Sequence, residues 1–286
     1  MTTDAFVVYA DKLSTWYPPE AVLNSFLNNA GSFNHLLLSF WTRKAPLDVA
    51  LAWSNGTFPQ NAIDQFHQAG IKVLVSAGGA TEEPITADPT GGAAYGRAVA
   101  EFAKTYRLDG VDFDIEDIHA LQAGTATQWL ADATRAVKDV LPDAVVTHAP
   151  QAPYFMGAYA SNYLQVDEQV GDLIDFYNIQ FYNQMSTGYD SCTTLIDQAD
   201  GWATGTAVKQ LIAAGIPQTR IVIGKPMTPG DAAPGNTGYM PVENLVGCLD
   251  YAIHAGSRPR GVMTWQWNTD NLGLNATWSQ AVAGPF

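Results

Sequence analysis

A parallel (β/α)8 barrel is the fold class this sequence predicts, and three observations carry the prediction. Eight short apolar, β-branched or aromatic runs alternate with helix-like segments along the chain. The 286 residues suit a single domain of this kind, which typically takes about 250. The fourth run, Asp109 to Glu116, alternates acids with hydrophobes, so a strand there carries one wholly acidic face.

Taken in order, the first strand is expected at Ala5 to Ala10, a helix at Glu20 to Asn29, and the second strand at His35 to Trp41. A helix over Ile63 to Ala69 is closed by Gly70, the residue type that most readily ends a helix in a left-handed conformation. The third strand, Lys72 to Ser76, is followed by a helix over Ala93 to Tyr106 and then by the acidic strand. Trp129, Leu130, Ala133, Val137 and Val140 recur at helical spacing, which predicts an amphipathic helix over Thr127 to Val140 with Pro142 just beyond it. Further strands are expected at Ala144 to His148, Ile174 to Tyr182, Arg220 to Lys225 and Gly261 to Trp267. Helices at Tyr163 to Val170, Thr204 to Ala214, Val242 to His254 and Thr277 to Val282 fill the later intervals. The whole chain, residues 1–286, is thus expected to form one catalytic domain.

Side-chain alternation places Asp112, Asp114 and Glu116 on one face of the fourth strand, roughly 7 Å apart, and Val111, Phe113 and Ile115 on the other. Three carboxylates at that spacing resist full ionisation unless water or cations screen them, so at least one is expected to keep its proton above the usual carboxyl range. A protonated acid beside an ionised one, on a rigid strand, is what acid-catalysed cleavage of a glycosidic bond requires. A solvated face of an antiparallel edge strand would mix Lys, Thr and Ser with acids, whereas no basic residue occurs from Val111 to Ala131. In a barrel the acids fall at the C-terminal end of the strand, where catalytic groups sit. Asp109, an odd number of positions from the three, points away from them and is assigned to structure.

Composition limits the partners. A net charge of −14 excludes a nucleic-acid partner, whose phosphates demand clustered Lys and Arg. No apolar run reaches the length of a membrane span, so no membrane partner is expected. With 8 Trp, 12 Tyr and 12 Phe among 15% charged residues, the chain suits aromatic surfaces for a neutral ligand. The five histidines show no metal-ligand spacing, and no G-x-G-x-x-G follows a strand, so neither metal nor nucleotide cofactor is expected. Cys192 and Cys248 allow one disulfide without requiring it. The first strand begins a few residues after Met1, leaving no room for a signal peptide, a start that fits a cytosolic protein or a mature secreted one. Asn55-Gly56-Thr57 and Asn275-Ala276-Thr277 match the glycosylation pattern and favour the secreted reading.

Four motifs in this order resemble the family 18 glycoside hydrolases, the chitinases and endo-β-N-acetylglucosaminidases. Asp109-Gly110-Val111-Asp112-Phe113-Asp114-Ile115-Glu116 reproduces the signature D-G-x-D-x-D-x-E in full, and Ser76-Ala77-Gly78-Gly79 reproduces S-x-G-G after the third strand. Gln180-Phe181-Tyr182-Asn183 and Gly261-Val262-Met263-Thr264-Trp265 are similar to the sixth and eighth strands of the compact plant and fungal chitinases. The resemblance implies a retaining mechanism in which the substrate's own 2-acetamido group is the nucleophile, an exception to the usual two-carboxylate scheme. Glu116 would be the acid and then the base, Asp114 would orient the acetamido N–H, Tyr182 would hold its carbonyl, and Asp112 would share a proton with Asp114. Trp265 would form the floor under the sugar whose bond is cut. Gln180, Asn183 and Trp267 are expected to bind substrate, Trp267 from the same face as Trp265, and Trp16, Trp41 and Trp53 are further subsite candidates.

The connection between strands seven and eight has room for a loop and one helix, so the insertion that deepens many chitinase clefts is expected to be absent. A monomeric endochitinase acting on N-acetylglucosamine polysaccharide is the leading expectation. An endo-β-N-acetylglucosaminidase acting on the chitobiose core of N-glycans is the first alternative, and a non-catalytic chitin- or glycan-binding protein the second. The intact Glu116 and Asp114 weigh against the last.

Overall fold

The computed structural model describes residues 3–11, 19–44, 62–233, 235 and 238–286. Trp16, Trp53 and Asn55 lie outside the described residues. Eight parallel strands close into a barrel in chain order, β1 Ala5–Ala10, β2 His35–Trp41, β3 Lys72–Gly78, β4 Gly110–Asp114, β5 Val145–His148, β6 Phe176–Gln180, β7 Ile221–Pro226 and β8 Gly261–Trp265, with β8 pairing back onto β1. Strands buried on both faces need apolar residues at nearly every position. AFVVYA of β1 meets that need with all six residues buried. Ala5, Val7, Leu37, Leu74, Phe176, Val222 and Met263 fill the barrel interior, while Phe6, Val8, Leu36, Val73, Val111 and Phe113 face the helical ring. Helices Gly92–Thr105 and Ala126–Val140 pack on that outer face, with buried Tyr95, Val99, Trp129, Leu130 and Val137 turned towards the strands.

The differences from the sequence reading occur at element ends. The acidic strand stops at Asp114, because Asp117 opens the next helix, Ile118–Ala123, as a cap whose carboxylate accepts from the Ala120 amide. Glu116 therefore stands just past the strand, on the loop that leaves it. The helix expected from Thr204 begins at Val208, since Gly205 holds a φ of +93° that no helix accepts. The weakly patterned final helix is longer than expected, Leu272–Ala283. Between β7 and β8 the described residues form one short 3-10 turn, Pro229–Asp231, and one helix, Val242–His254, in keeping with a barrel that lacks the extra insertion.

Two further expectations are corrected here. Asn275 is fully buried, with Nδ2 donating to the carbonyls of Asn268 (2.9 Å) and Leu272 (3.1 Å), so it is no surface acceptor for a glycan. Trp41 is buried edge-on against Tyr95 in the layer between barrel and helices, which removes it as a sugar platform.

Cys192 and Cys248 are bonded, their Cα atoms 4.9 Å apart, joining the segment after β6 to the helix before β8 across 56 positions. Closing a loop of that length is worth about 2–4 kcal/mol against the unfolded chain. Reduction, or Cys248→Ala with Cys192→Ala, is expected to lower unfolding free energy by about that amount, measured by denaturant titration with and without reductant. Asp112, Asp114 and Glu116 are not attached to this bond, so reduction should leave their arrangement intact below the unfolding transition.

Candidate active site

The register of the strands assembles the site. Ser76 of β3 and Thr147 of β5 stand directly beside Asp112 of β4. Asp112 is fully buried and accepts four hydrogen bonds: from Tyr9 Oη (2.8 Å) and Ser76 Oγ (2.7 Å) on Oδ2, and from Thr147 Oγ1 (2.6 Å) and Asn178 Nδ2 (3.2 Å) on Oδ1. Burial raises its carboxyl pKa and the four donors oppose the rise. Such a donor set suits an ionised carboxylate, which only accepts. The expected sharing of a proton between Asp112 and Asp114 has no direct hydrogen bond here, because both oxygens of Asp112 are taken by these other donors.

Asp114 is the next acid outward. Gln180 Nε2 donates to its Oδ1 (3.0 Å) and to the Ala149 carbonyl (3.0 Å). Its pKa is pushed well up by burial first, then by the charges of Glu116 and Asp112. Glu116 is partly open to solvent, and its pKa is also raised, chiefly by desolvation; hydrogen bonds to its charged form pull the other way. Gln151 Nε2 donates to Glu116 Oε2 at 2.5 Å. The loop holding Glu116 is anchored by Asp117, which accepts from both the amide and the hydroxyl of Thr86 at 2.7 Å and so ties the end of β4 to the short helix Pro84–Ala87 after β3.

The glycines of the third strand explain themselves sterically. Gly78 has a φ of +111°, and a Cβ there would lie 2.3 Å from the Asp114 carbonyl oxygen. The next amide, that of Gly79, donates to that same carbonyl at 2.7 Å, so Ser76 to Gly79 underlie the acids as a support. Gly110 opens β4 with equally little room, since a Cβ would meet the Val145 carbonyl at 1.9 Å.

Tyr182 lies in the interior cluster with Trp265, its phenol held well above its ordinary pKa by burial and by the charges of Asp114, Glu116, Asp231 and Asp112. It stays a hydrogen-bond donor at any working pH. Lys225, fully buried behind this loop, donates to the carbonyls of Phe181 (2.9 Å) and Tyr189 (2.7 Å), clamping the segment that carries Tyr182. Trp265 is partly exposed, stacked on Phe40 at 5.8 Å and tilted against Tyr9 at 5.9 Å. Beside Phe40, on the loops after β2 and β3, lies a cavity of about 680 Å³ with Arg43, Lys44, Glu82 and Glu83 among its walls.

Of the substrate-binding candidates, Gln180 holds Asp114, and Asn183 accepts from the Ala233 amide at 2.9 Å, tying two loops together. Trp267 does not share the face of Trp265. It is buried in the outer layer, stacked on Phe26 with ring centroids 3.9 Å apart. The strand ends at Trp265, and alternation does not extend past its end. Asp109 faces away as expected, accepting from the Val73 amide at 2.7 Å and meeting His67 Nε2 at 2.8 Å. Sequence reading missed Tyr9, Thr147, Asn178, Gln151 and Gln184; the first three are polar residues at inward positions of apolar strands, a detectable signal, whereas the two glutamines sit in irregular segments without one. Among the described residues, no group of three or more His, Cys, Asp and Glu is arranged to hold a metal ion, and no helix is long and apolar enough to cross a membrane.

Comparison with known proteins bears on this geometry. The family model described as glycosyl hydrolases family 18 matches residues 5–286. A family 18 chitinase from Pseudoalteromonas aurantia superimposes with a TM-score of 0.76 at 26% identity, covering 99% of this chain and 100% of its own. A putative chitinase A from Streptomyces coelicolor gives 0.74 at 20% identity, with 99% and 98% covered. A xylanase and alpha-amylase inhibitor protein from Scadoxus multiflorus gives 0.59 at 16% identity, with 99% and 98% covered. No curated protein sequence matches.

Proposed function

The chain belongs to glycosyl hydrolase family 18, and we propose that it is a retaining endochitinase that cleaves β-1,4 bonds beside N-acetylglucosamine with the substrate's acetamido group as nucleophile. One observation supports this most directly. At the C-terminal end of the fourth strand Glu116, its pKa raised by burial, stands two residues from Asp114, a second raised carboxyl held by Gln180, with the phenol donor Tyr182 close enough to feel both charges.

The steps follow from these groups. Glu116 gives its proton to the glycosidic oxygen as the bond from that oxygen to the anomeric carbon breaks, and the departing sugar leaves as an alcohol. The acetamido oxygen forms a bond to the same carbon from the opposite face, producing an oxazolinium ion. Asp114 accepts the acetamido N–H and stabilises the positive ring, while Tyr182 donates to the acetamido oxygen and aligns it. These groups are in place before charge develops, the condition under which electrostatic stabilisation is largest. Asp112, with its four donors, adds a fixed negative charge behind Asp114. Water then attacks the anomeric carbon and gives a proton to Glu116 as the bond from that carbon to the acetamido oxygen breaks, which restores the acetamido group and leaves the sugar with retained configuration. Trp265 and Phe40 offer a flat apolar floor for the pyranose. We assign Gln180, which holds Asp114, to this space as well, and leave out Trp267, which stacks on Phe26 in the outer layer.

The structural likeness to an inhibitor protein makes a non-catalytic role worth testing, but the complete acid set favours hydrolysis. The disulfide suits an oxidising, extracellular setting. Digestion of chitin oligosaccharides alongside a high-mannose glycoprotein, with mass analysis of products, is the test. Internal cleavage of the oligosaccharides is expected. Release of N-glycans with one N-acetylglucosamine left on the protein, and intact chitin oligosaccharides, would replace this reading by the endo-β-N-acetylglucosaminidase one. No product from either substrate would remove the enzymatic reading.

A further inference from the structure

Glu116 is held from behind by a chain of three hydrogen bonds that the reaction scheme does not use. Gln151 Nε2 donates to Glu116 Oε2 (2.5 Å), Gln184 Nε2 donates to Gln151 Oε1 (2.7 Å), and Trp202 Nε1 donates to the main-chain carbonyl of Gln184 (2.9 Å), fixing the backbone from which that side chain reaches. Gln184 is buried at 3% exposure, and Trp202 rests against Tyr159 with ring centroids 6.2 Å apart. Each link has a direction. Gln184 presents its amide hydrogens to Gln151, so Gln151 must present its oxygen to Gln184 and its own hydrogens to the carboxyl group. Rotating the Gln151 amide would set two NH2 groups face to face and its oxygen against an ionised carboxylate.

We propose that Gln151, braced by Gln184, is a positioning residue that assigns the catalytic proton of Glu116 to Oε1 in both halves of the reaction. Oε2 accepts from Gln151 whether the acid is protonated or ionised, so the hydrogen rides on the other oxygen. A carboxylic acid free to rotate would present its proton to the glycosidic oxygen only part of the time, and to water or Gln151 otherwise. Fixing the plane and the protonated oxygen removes that loss, and a misplacement of about 1 Å in such a group costs up to about 100-fold. Because the same oxygen later takes the proton from water, one fixed orientation serves both steps. The inference rests on Glu116 being the acid of the proposed chitinase reaction.

A positioned acid matters in proportion to how poorly the leaving group departs unaided. The test compares wild type, Gln151→Met and Gln184→Met on two substrates with the same donor sugars: a chitin oligosaccharide, whose leaving group is a sugar alcohol, and a 4-nitrophenyl glycoside, whose phenolate leaves with little help. Gln151→Met is expected to lose about 10- to 100-fold in kcat/KM on the oligosaccharide and less than about threefold on the aryl glycoside. Its alkaline limb should move to higher pH, because the lost hydrogen bond favoured the ionised acid. Gln184→Met, which leaves Gln151 present but unbraced, should show the same pattern at smaller size and serves alone if Gln151→Met fails to fold. Equal losses on the two substrates, or an unmoved alkaline limb, would overturn the positioning role. Wild-type protein that cleaves neither substrate would instead overturn the functional reading beneath it.

Discussion

Glu116→Gln is expected to lower turnover of chitin oligosaccharides by about 10³-fold or more, with affinity for the same oligosaccharides changed by no more than a few-fold. The amide keeps the shape of the side chain and can still accept from Gln151, but it has no proton to give to the departing oxygen. Asp114, Tyr182 and Trp265 remain to bind the sugar, so the loss falls on the chemical step. Stability gives an independent check that the fold is intact. Folding raises the pKa of this carboxyl through burial, so the native state binds more protons than the unfolded chain between the unfolded and folded pKa values. Stability therefore falls as pH rises through that window, a loss that a neutral Gln at this position does not incur. The variant should melt no lower than wild type at pH 7. Wild-type turnover in this variant would end the assignment of Glu116 as the acid; unchanged turnover loss with oligosaccharide affinity also gone would point to a collapsed site.

How much of this was legible beforehand depends on whether the information is local. The barrel was readable because eight apolar runs at strand length, separated by helical patterns, leave few other ways to bury their surface. Asp112 and Asp114 were readable because period-two alternation places them on one face of β4, whereas Glu116, two residues past the strand's end, was legible as the last acid of the D-G-x-D-x-D-x-E motif. The cradle of Asp112 was not, since Tyr9, Ser76, Thr147 and Asn178 come from four other strands and meet it only through the barrel's register. Register is a property of paired strands, and a single strand's sequence does not contain it. Trp267 shows the opposite limit: a rule valid inside β8 was carried two residues past its end, where the chain turns Trp267 into the outer layer onto Phe26. Gln151 and Gln184 escaped because irregular segments have no period from which to infer a direction. Their importance follows only from what they touch.

Asp114→Asn is the second large effect, and its pH signature separates it from the other variants. The acetamido N–H needs an acceptor and the oxazolinium ring needs a negative neighbour; an amide supplies the first only after rotation and the second not at all. Loss of one such preorganised electrostatic group costs about 10²- to 10³-fold in kcat, and KM for oligosaccharides should stay near the wild-type value. A thiazoline analogue, which has the bicyclic geometry of the intermediate and, once protonated, its charge, should lose affinity in parallel with kcat, whereas a substrate oligosaccharide should not. Burial and the charge of Glu116 both raise Asp114, and that repulsion is mutual, so each ionised carboxylate makes the other harder to ionise. With Asn at 114 one of the two charges is gone, Glu116 gives up its proton at lower pH, and the alkaline limb of kcat/KM moves down. Removing Gln151's hydrogen bond moves the same limb up. Two substitutions on either side of one carboxyl group, displacing its titration in opposite directions, would locate the functional proton on Glu116 without relying on the loss of activity alone; a limb that stays fixed in Asp114→Asn would mean that the titration seen in the rate belongs to some other group.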